Sequence, residues 1–517
     1  SGAETVTVSL GGCSGCALLA ANPTDVGSSS LTYTLTSSLT SVHYFYVNGV
    51  APGTATITVT APGFASATLP LTVYNSGFYF NGGGSANLGT FAGSQTFTVA
   101  TLTETSAGAY QTSGQPVRPG AGPFTIPLTL GPNGTNVGTI DATSVSIGAG
   151  SYYAQAHFTP ANAGTATVSL TQPSGFTLPT CSGCNQTISY TVTAQPINVS
   201  GALGVGANLQ GSAYFYLSAA PPSGAETVTV SLGGCSGCAL LAANPTDVGS
   251  SSLTYTLTSS FTSVHYVYVN GVTPGTATIT VSAPGFASAT IPVTVYNSGF
   301  YFNGGGSANL GTFAGPQTFT VATLTETSAG AYVTSGQPVR PGAGPFTIPL
   351  TLGPNGTNVG TIDANSVSIG TGNYYAQAHF TPQAVGTATV SLTQPSGFTL
   401  PTCSGCNQTI SYSVTTPVIQ GPGSVGVTAG SSSSAYVYLS ETPPNPVTIT
   451  LTVANGGSST ALLSATSGGT GGSTLTFAGA SNSSVQYFYV QGLAQGTTTI
   501  TVSAPGYADL TIPVTVN

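Results

Sequence analysis

Short segments in which apolar residues alternate with Thr or Ser recur along the whole chain. Residues 5–10 (TVTVSL), 54–60 (TATITVT) and 124–130 (FTIPLTL) are examples. Because successive side chains of a β-strand point to opposite faces, this period of two indicates strands with one buried face. Gly- and Pro-rich turns separate the segments, and no segment keeps a helical period. We therefore predict an all-β protein of short antiparallel strands.

The strand pattern is itself repeated on a larger scale. Residues 223–415 are a near copy of residues 1–193, with a period of 222 residues and about 15 differences. Most differences keep the character of the position, as in Leu69 and its counterpart Ile291. Repetition on this scale predicts an array of like modules rather than one large domain.

Two module types alternate within each period. Type A ends in the segment 43–73, which returns at 265–295 and, in a diverged copy, at 486–516; type B lies between the A modules. Each complete module has about the length of an immunoglobulin (Ig)-like sandwich, roughly 100 residues. We predict a linear array of Ig-like antiparallel β-sandwich domains with boundaries at 1–74 (A), 75–195 (B), 196–296 (A), 297–417 (B) and 418–517 (A).

The first A module is incomplete on its N-terminal side. Segments 197–222 and 418–444 begin the second and third copies, and residues 1–74 contain no counterpart of them. Two interpretations stay open: the chain is a fragment of a longer protein, or a neighbouring chain donates the strands. An unfilled sandwich would expose a sheet edge, which is a template for strand addition.

The A modules share a motif at their C-terminal ends. The pattern V-x-G-V-x-P-G-T-A-T-I-T-V-x-A-P-G begins at residues 47 and 269 and, with substitutions, at residue 490. It resembles the C-terminal half of bacterial Ig-like (Big-type) domains. The resemblance implies an Ig-like fold in tandem repeats of the kind found in surface adhesins and other large secreted proteins. The B modules resemble Ig-like or Calx-β-like repeats more loosely.

Composition narrows the classes of function. Only 2% of the residues are charged, against about 25% in typical soluble domains. Two Arg and no Lys leave no basic surface for nucleic acid. No apolar stretch approaches the roughly 18 residues that span a bilayer. A weakly charged surface does not repel copies of itself, which favours homopolymeric association.

The cysteines form four C-S-G-C units. These are Cys13/Cys16, Cys181/Cys184, Cys235/Cys238 and Cys403/Cys406. Such units make local disulfides, redox pairs or, when two of them meet, a zinc site. We predict disulfides that each close a small loop, because each unit lies in a different module and between strand segments, which suits neither zinc nor redox chemistry. The third A copy has NGGSSTALL at 455–463 where the others have GGCSGCALL, so the fold does not require the bridge.

No catalytic or metal-binding arrangement stands out in the sequence. The four histidines are His43, His157, His265 and His379. A polar residue, Gln486, replaces the first of them in the third A copy, which suggests a half-exposed strand position. The acidic residues are too sparse for paired-carboxylate catalysis or a calcium loop. We expect no enzyme activity and no cofactor.

Two further features bear on partners. Six N-x-[ST] sequons are candidate glycosylation acceptors: Asn133, Asn185, Asn198, Asn355, Asn407 and Asn482. The abundant tyrosines, such as Tyr44 and Tyr152, suit cross-strand packing and protein interfaces, and the alternative is sugar stacking.

Together these features predict a structural extracellular or cell-surface protein. Its chain would be a repetitive Ig-like subunit or segment of a surface fibre, filament or stalk that self-associates into a homopolymer. The alternative is an adhesin or carbohydrate-binding repeat protein that contacts cell-surface glycans.

Overall fold

The computed structural model describes residues 3–36, 41–106, 109–111, 114–328, 331–333, 336–454, 457–481 and 484–517. Within these ranges the chain is almost entirely strand and turn, and its helical segments are three or four residues long. The strands pair into sheets that face each other in successive sandwiches, which we call A1, B1, A2, B2 and A3. The predicted all-β fold is confirmed.

The described part of A1 has six strands. They are β1 (Glu4–Gly11), β2 (Ala17–Ala20), β3 (Ser30–Leu35), β4 (Tyr46–Gly49), β5 (Gly53–Thr60) and β6 (Ala67–Val73). One sheet has the order β3-β1-β5-β6, and β2 pairs with β4 in the other. All of these pairs are antiparallel.

B1 has ten strands and one short helix. They are β7 (Ser76–Asn81), β8 (Ser85–Gly89), β9 (Gln95–Ser106), β10 (Ala109–Gln111), β11 (Phe124–Leu130), α1 (Gly134–Val137), β12 (Gly138–Ile140), β13 (Ser144–Ile147), β14 (Tyr153–Pro160), β15 (Gly164–Leu170) and β16 (Thr187–Thr193). The sheets have the orders β10-β9-β14-β12, with β7 also on β9, and β13-β11-β15-β16-β8. The edge strand β8 runs parallel to β16.

A2 repeats the six strands of A1, with three further strands before them and one short strand between the last two. Its strands are β17 (Gln195–Val199), β18 (Leu203–Gly206), β19 (Gln210–Leu217), β20 (Glu226–Gly233), β21 (Ala239–Ala242), β22 (Ser252–Leu257), β23 (His265–Gly271), β24 (Gly275–Ser282), β25 (Phe286–Ala287) and β26 (Ala289–Tyr296). The two sheets have the orders β21-β23-β19-β17-β25 and β18-β26-β24-β20-β22. The added strands β17 to β19 therefore enter both sheets.

B2 repeats the B1 arrangement. Its elements are β27 (Ser298–Asn303), β28 (Ser307–Gly311), β29 (Gln317–Ser328), β30 (Ala331–Val333), β31 (Phe346–Leu352), α2 (Gly356–Val359), β32 (Gly360–Ile362), β33 (Ser366–Ile369), β34 (Tyr375–Pro382), β35 (Gly386–Leu392) and β36 (Thr409–Thr415). Its edge strand β28 again runs parallel to the last strand, β36.

A3 repeats the A2 arrangement with diverged sequence. Its elements are β37 (Ile419–Gln420), β38 (Val425–Val427), β39 (Ser432–Leu439), β40 (Val447–Val453), a 3-10 helix (Gly457–Ser459), β41 (Ala461–Ser464), β42 (Thr474–Ala480), β43 (Gln486–Gly492), β44 (Gly496–Ser503) and β45 (Leu510–Val516). The sheets have the orders β37-β39-β43-β41 and β38-β45-β44-β40-β42.

The period-two pattern decides which side chains form each core. In β24, Ala277, Ile279 and Val281 are buried, whereas the Thr residues between them are partly exposed. Equivalent alternation in both sheets gives B1, A2, B2 and A3 one large apolar core each, and B1 and B2 have a second, small cluster beside it. The buried residues of A1 form two small separate clusters instead, one of which contains Val8, Leu19 and Ile57.

A1 differs from A2 because it has no counterparts of β17, β18 and β19 among its described residues. In A2, β23 pairs with β19 on one side and β21 on the other, and β26 pairs with β18. In A1, β4 pairs with β2 alone and β6 with β5 alone. Leu69 is consequently 55% exposed, whereas Ile291, at the same place in A2, is 1% exposed.

This matched pair predicts unequal effects of the same truncation. Ile291→Ala should destabilise A2 by about 2–5 kcal/mol, because it leaves a cavity in a closed core. Leu69→Ala should destabilise A1 by less than about 1 kcal/mol, because a half-exposed side chain has little burial to lose. Native-state hydrogen exchange on β24 and β5 of the two variants measures both effects. Equal losses in the two sandwiches would show that A1 is as closed as A2.

Candidate assembly surface of the first sandwich

The structure pairs the cysteines as predicted, with the two sulfurs of each C-S-G-C unit at disulfide distance: Cys13–Cys16, Cys181–Cys184, Cys235–Cys238 and Cys403–Cys406. Their Cα atoms are 5.3–6.0 Å apart. In the A sandwiches the bridge follows the first strand of the repeated part, as Cys13–Cys16 does after β1. Within the described ranges, no three His, Cys, Asp or Glu side chains come together in a group that could hold a metal ion.

The two cysteines of a unit differ in burial, which the sequence analysis did not address. The first cysteine of each unit is partly exposed. The second is buried, at 3–8% exposure, in all four units: Cys16, Cys184, Cys238 and Cys406. The sequence predicts that each C-S-G-C unit lies between strands, but it does not indicate which of the two cysteines is buried. Half of every bridge is part of an apolar cluster.

Neighbouring strands explain why the second cysteine is buried. In B1, Cys184 packs with Tyr79, Ala100 and Leu102 of β7 and β9, and Cys406 occupies the equivalent cluster in B2. In A2, Cys238 directly precedes β21 and belongs to the main core. These sulfurs therefore contribute apolar packing as well as loop closure, since a buried Cys behaves as a small hydrophobic side chain.

A3 shows what the disulfide contributes to the fold. A 3-10 helix, Gly457–Ser459, replaces the bridged loop, and β41 pairs with β43 as β21 pairs with β23. Thr460 stands in the place of Cys238, and the carbonyls of both residues accept a backbone hydrogen bond from the following loop, at 2.7 and 2.8 Å. The bridge therefore fastens a loop whose flanking strands pair without it. A ring this short contributes at most roughly 2 kcal/mol by the chain-entropy model.

The sequons lie at three kinds of site. Asn133 and Asn355 are exposed and precede the short helices α1 and α2. Asn185 and Asn407 are half-buried, and their backbone carbonyls accept hydrogen bonds from the next sheet. Asn198 is half-buried in β17. Asn482 lies outside the described residues. The first pair is therefore the most accessible to a glycan.

An exposed His–Asp contact lies at equivalent places in the described parts of the two B sandwiches. His157 Nδ1 lies 2.7 Å from Asp141 Oδ2, and His379 lies at the same distance from Asp363. The backbone N–H of each histidine also donates to the carboxylate, at 2.8 Å. These hydrogen bonds, the backbone one first, lower the pKa of both Asp side chains. Since each contact ties β14 or β34 to the turn that follows β12 or β32, we interpret it as structural. Of the other two histidines, His265 begins β23 and is half-buried. His43 is exposed in the loop before β4, so the expectation of a half-exposed strand position is wrong for it.

The most unusual surface of the chain is the open side of A1. In A2 the corresponding positions are covered by β17 to β19: Val269 is 0% exposed, whereas Val47 is 38% exposed. We define the A1 groove as the residues that line this side: Val6, Phe45, Val47, Leu69, Leu71 and Val73. Two sheet edges, β4 and β6, border it. Burying a Leu or Val side chain is worth roughly 1.5–3 kcal/mol, so a partner that filled this groove would gain several such contributions.

Aromatic pairs join each B sandwich to the following A sandwich. Phe91 of B1 meets Phe286 of A2 with ring centroids 4.9 Å apart, and Phe313 of B2 meets Tyr507 of A3 at 5.3 Å. In the second joint, the Tyr507 hydroxyl donates to the Glu441 carbonyl at 2.5 Å, and burial raises the pKa of Tyr507 to about 12. Each ring buries a large area and fixes the angle between two sandwiches.

A different contact joins A2 to B2. Leu209 leaves the A2 sheet and enters the core of B2, where it is 0% exposed and bridges to Val339. The side chain of Gln337 accepts a hydrogen bond from the Gly206 N–H at 2.8 Å and donates to the Gly204 carbonyl at 2.9 Å. This joint thus depends on the loop and strands that have no counterpart in the described part of A1.

Sequence reasoning did not single out the joint residues Phe91, Phe286, Tyr507, Leu209 and Gln337. The A-P-G-F and A-P-G-Y segments, at 61–64, 283–286 and 504–507, were a usable signal because an aromatic side chain recurs directly after a tight turn. Phe64 has this place in A1 and is 70% exposed.

Comparison with solved structures finds T cell receptor chains. One chain described as "Marsupial T cell receptor" is 9% identical with a TM-score of 0.12, and the match covers 62% of this chain and 99% of that chain. A second of the same description is 10% identical with a TM-score of 0.15, and covers 70% and 95%. TM-scores this low mean that the two structures superimpose poorly on this chain. The fold assignment therefore rests on the strand pairings described above. No protein-family model matches the sequence, and no curated protein matches it.

The aromatic joints predict that one substitution loosens the array at one place. Phe286→Ala should remove the Phe91–Phe286 contact, worth about 0.5–1.5 kcal/mol beyond the buried area. The B1–A2 joint should then bend more, and small-angle X-ray scattering should show a broader distribution of interatomic distances. Phe64→Ala is the matched control, because that ring has no such partner within the described residues, and it should leave the distribution unchanged. Identical scattering from both variants would contradict the role assigned to the joint.

Proposed function

We propose that this chain is a structural extracellular protein, a repetitive Ig-like segment of a surface fibre, filament or stalk that associates with further copies. The observation that carries the proposal is the repeated joint. Phe91–Phe286 and Phe313–Tyr507 place successive sandwiches through the same kind of contact. An array whose modules meet through packed rings keeps its length and direction, which is what a fibre requires.

Three other features support an extracellular location and a mechanical role. Local disulfides are typical of oxidising compartments. The resemblance of the A-module ending to bacterial Ig-like domains fits secreted tandem-repeat proteins. Within the described ranges, the helices are far too short to cross a bilayer. In this proposal the protein has no enzymatic activity and needs no cofactor.

Self-association follows from the surface that the chain presents. Two Arg and ten acidic residues in 517 positions give a net charge of −8, so identical surfaces approach with little repulsion. The apolar A1 groove and its two sheet edges add a surface that β-strand pairing can cover.

A binding role is the second candidate, and one observation favours it. Tyr152 and Tyr153 form an exposed ring pair with centroids 5.0 Å apart, and Tyr374 and Tyr375 form the same pair one repeat later, at 4.9 Å. Exposed aromatic faces at regular intervals suit stacking against sugar rings. Under this alternative the repeats would act as an adhesin that contacts cell-surface glycans.

Electron microscopy of the native material distinguishes these roles. We expect periodic filaments with several chains per cross-section, measured as mass per length. A single string of sandwiches would be roughly 20–30 Å wide, since two sheets pack about 10 Å apart and carry side chains on both outer faces. Isolated strings of that width would contradict homopolymeric assembly. Glycan-array binding that Tyr152→Ala and Tyr374→Ala abolish would favour the adhesin.

A further inference from the structure

In B1, A2, B2 and A3, the second strand of the sandwich and its last strand are hydrogen-bonded neighbours that run parallel. The pairs are β8 with β16, β18 with β26, β28 with β36, and β38 with β45. They contain five, four, five and three residue pairs respectively. We call each of them a terminal ladder, because the chain enters the sandwich shortly before one strand and leaves it directly after the other.

The direction of these strands decides how tension acts on them. A pull on the two ends of the chain draws the earlier strand toward its N-terminus and the last strand toward its C-terminus. Because the two strands are parallel, these forces are opposite and lie along the strands, so all the hydrogen bonds of the ladder carry the load together. In an antiparallel pair of terminal strands the two pulled ends would lie side by side, and the bonds would break one after another.

The hydrogen bonds of the B1 ladder can be assigned to single residues. The Gly84 carbonyl accepts a bond from β16 at 2.9 Å, and the Thr90 N–H donates one to β16 at 3.0 Å. Since bonded residues alternate along a strand, the N–H of Ala86 faces β16 and the N–H of Asn87 faces away from it. Asn87 is exposed and β8 is an edge strand, so a proline at this place removes no ladder bond.

The A2 ladder cannot slip by small steps. Val205 of β18 is 0% exposed and lies opposite Val295 of β26, which is 2% exposed. A shift of one residue along β26 would turn Val205 from the core to the outer face, because side chains alternate along a strand. The ladder therefore holds its register until its bonds break.

The next sandwich gives the A2 ladder a further support. β18 is an edge strand, and the side chain of Gln337 in B2 bonds to its outer edge. Gln337 accepts a hydrogen bond from the Gly206 N–H at 2.8 Å and donates to the Gly204 carbonyl at 2.9 Å. Its amide oxygen also accepts a bond from the Thr325 hydroxyl of β29 at 2.8 Å. Displacement of β18 along β26 thus also breaks bonds to B2.

We propose that these sandwiches bear tension along the chain, and that the terminal ladder is the part of each sandwich that must break before it unfolds under an axial pull. The biological use of this property rests on the proposed function, because a fibre or stalk carries load along its length. Resistance to the pull then depends on the ladder bonds and not on the stability of the whole sandwich. In A2 the bonds to Gln337 add to this resistance while B2 is folded.

Single-molecule force spectroscopy of the full chain tests the role of the ladder. A B sandwich has about 20 more residues than A2 or A3 and releases roughly 70 Å more chain, so the two kinds of unfolding event are distinguishable. Ala86→Pro together with Ala308→Pro removes one ladder bond from each B sandwich. Both B events should become about five- to tenfold faster at constant force, since an unmade bond leaves a carbonyl unsatisfied.

A milder pair of substitutions keeps the test decisive if the proline variants do not fold. The Thr193 hydroxyl donates to the Leu88 carbonyl at 3.2 Å, and the Thr415 hydroxyl donates to the Leu310 carbonyl at 3.4 Å. Thr193→Val with Thr415→Val removes only these side-chain bonds across the ladders. The B events should become about twofold faster, and unchanged rates would contradict the role of the ladder.

Two controls separate the ladder from general stability. Asn87→Pro with Asn309→Pro places proline in the same strands without loss of a ladder bond, and should leave the B events unchanged. Val145→Ala with Val367→Ala changes buried residues of β13 and β33, at the opposite edges of the same sheets. It should lower the melting temperature but leave the rates under force unchanged. If either control accelerates the B events as much as Ala86→Pro with Ala308→Pro, the ladder assignment is wrong.

Gln337→Ala tests the support that B2 gives to A2. One of the A events in each molecule should become about two- to tenfold faster, because two bonds to β18 are lost. Gln115→Ala is the matched control, since the Gln115 side chain likewise accepts a bond from a threonine of its own sandwich, Thr103, at 3.1 Å. It should leave the A2 and A3 events unchanged. Unchanged A events in the Gln337→Ala chain would overturn the coupling between the two sandwiches.

These outcomes are independent of assembly, because each molecule is pulled alone. If the ladder variants unfold under force like the unsubstituted chain while microscopy shows filaments, the ladder assignment is wrong and the fibre stands. If the variants behave as expected and the native material forms no filament, the ladder assignment stands and the fibre is wrong.

Discussion

Closure of a sandwich requires that both of its sheets have their full set of strands, and every other property of this array depends on that constraint. A sheet edge without a partner leaves backbone donors and acceptors to water and leaves the apolar face beneath it half-covered. A2 and A3 satisfy the constraint with three strands that precede the repeated part and enter both sheets. In A2 the loop between β18 and β19 also carries Leu209 into B2, so the segment that closes A2 also joins it to the next sandwich.

Much of this fold was predictable because strand pattern, turn residues and the 222-residue repeat are local or countable properties of the sequence. The disulfide pairing was predictable for the same reason, since each bridge spans three residues. The burial of Cys184, Cys238 and Cys406 was not, because it depends on strands far away in the sequence.

Burial in A1 was not predictable from local sequence either. Leu69 and Ile291 lie in near-identical segments and differ in exposure from 55% to 1%, because burial depends on neighbours that only one of them has. The residues of the joints were not predicted for a related reason. The alternation of apolar and polar residues shows which side chains face outward, but it does not show which outward-facing ring contacts another module.

The two joint types use different contacts. The B-to-A joints use one edge-on and one tilted pair of aromatic rings, which pack between the sandwiches. The A2-to-B2 joint uses an inserted Leu209 and the Gln337 amide, which fix a register through hydrogen bonds. Alternation of A and B modules also separates near-identical sequences along the chain, which limits misfolding between neighbours.

The central claim is that packed aromatic rings hold each B sandwich against the A sandwich that follows it. Double electron–electron resonance between spin labels on B2 and A3, in the chain with and without Phe313→Ala, tests it most directly. The account predicts one narrow distance distribution in the unsubstituted chain and a broad one in the Phe313→Ala chain. Equally broad distributions in both chains would contradict it.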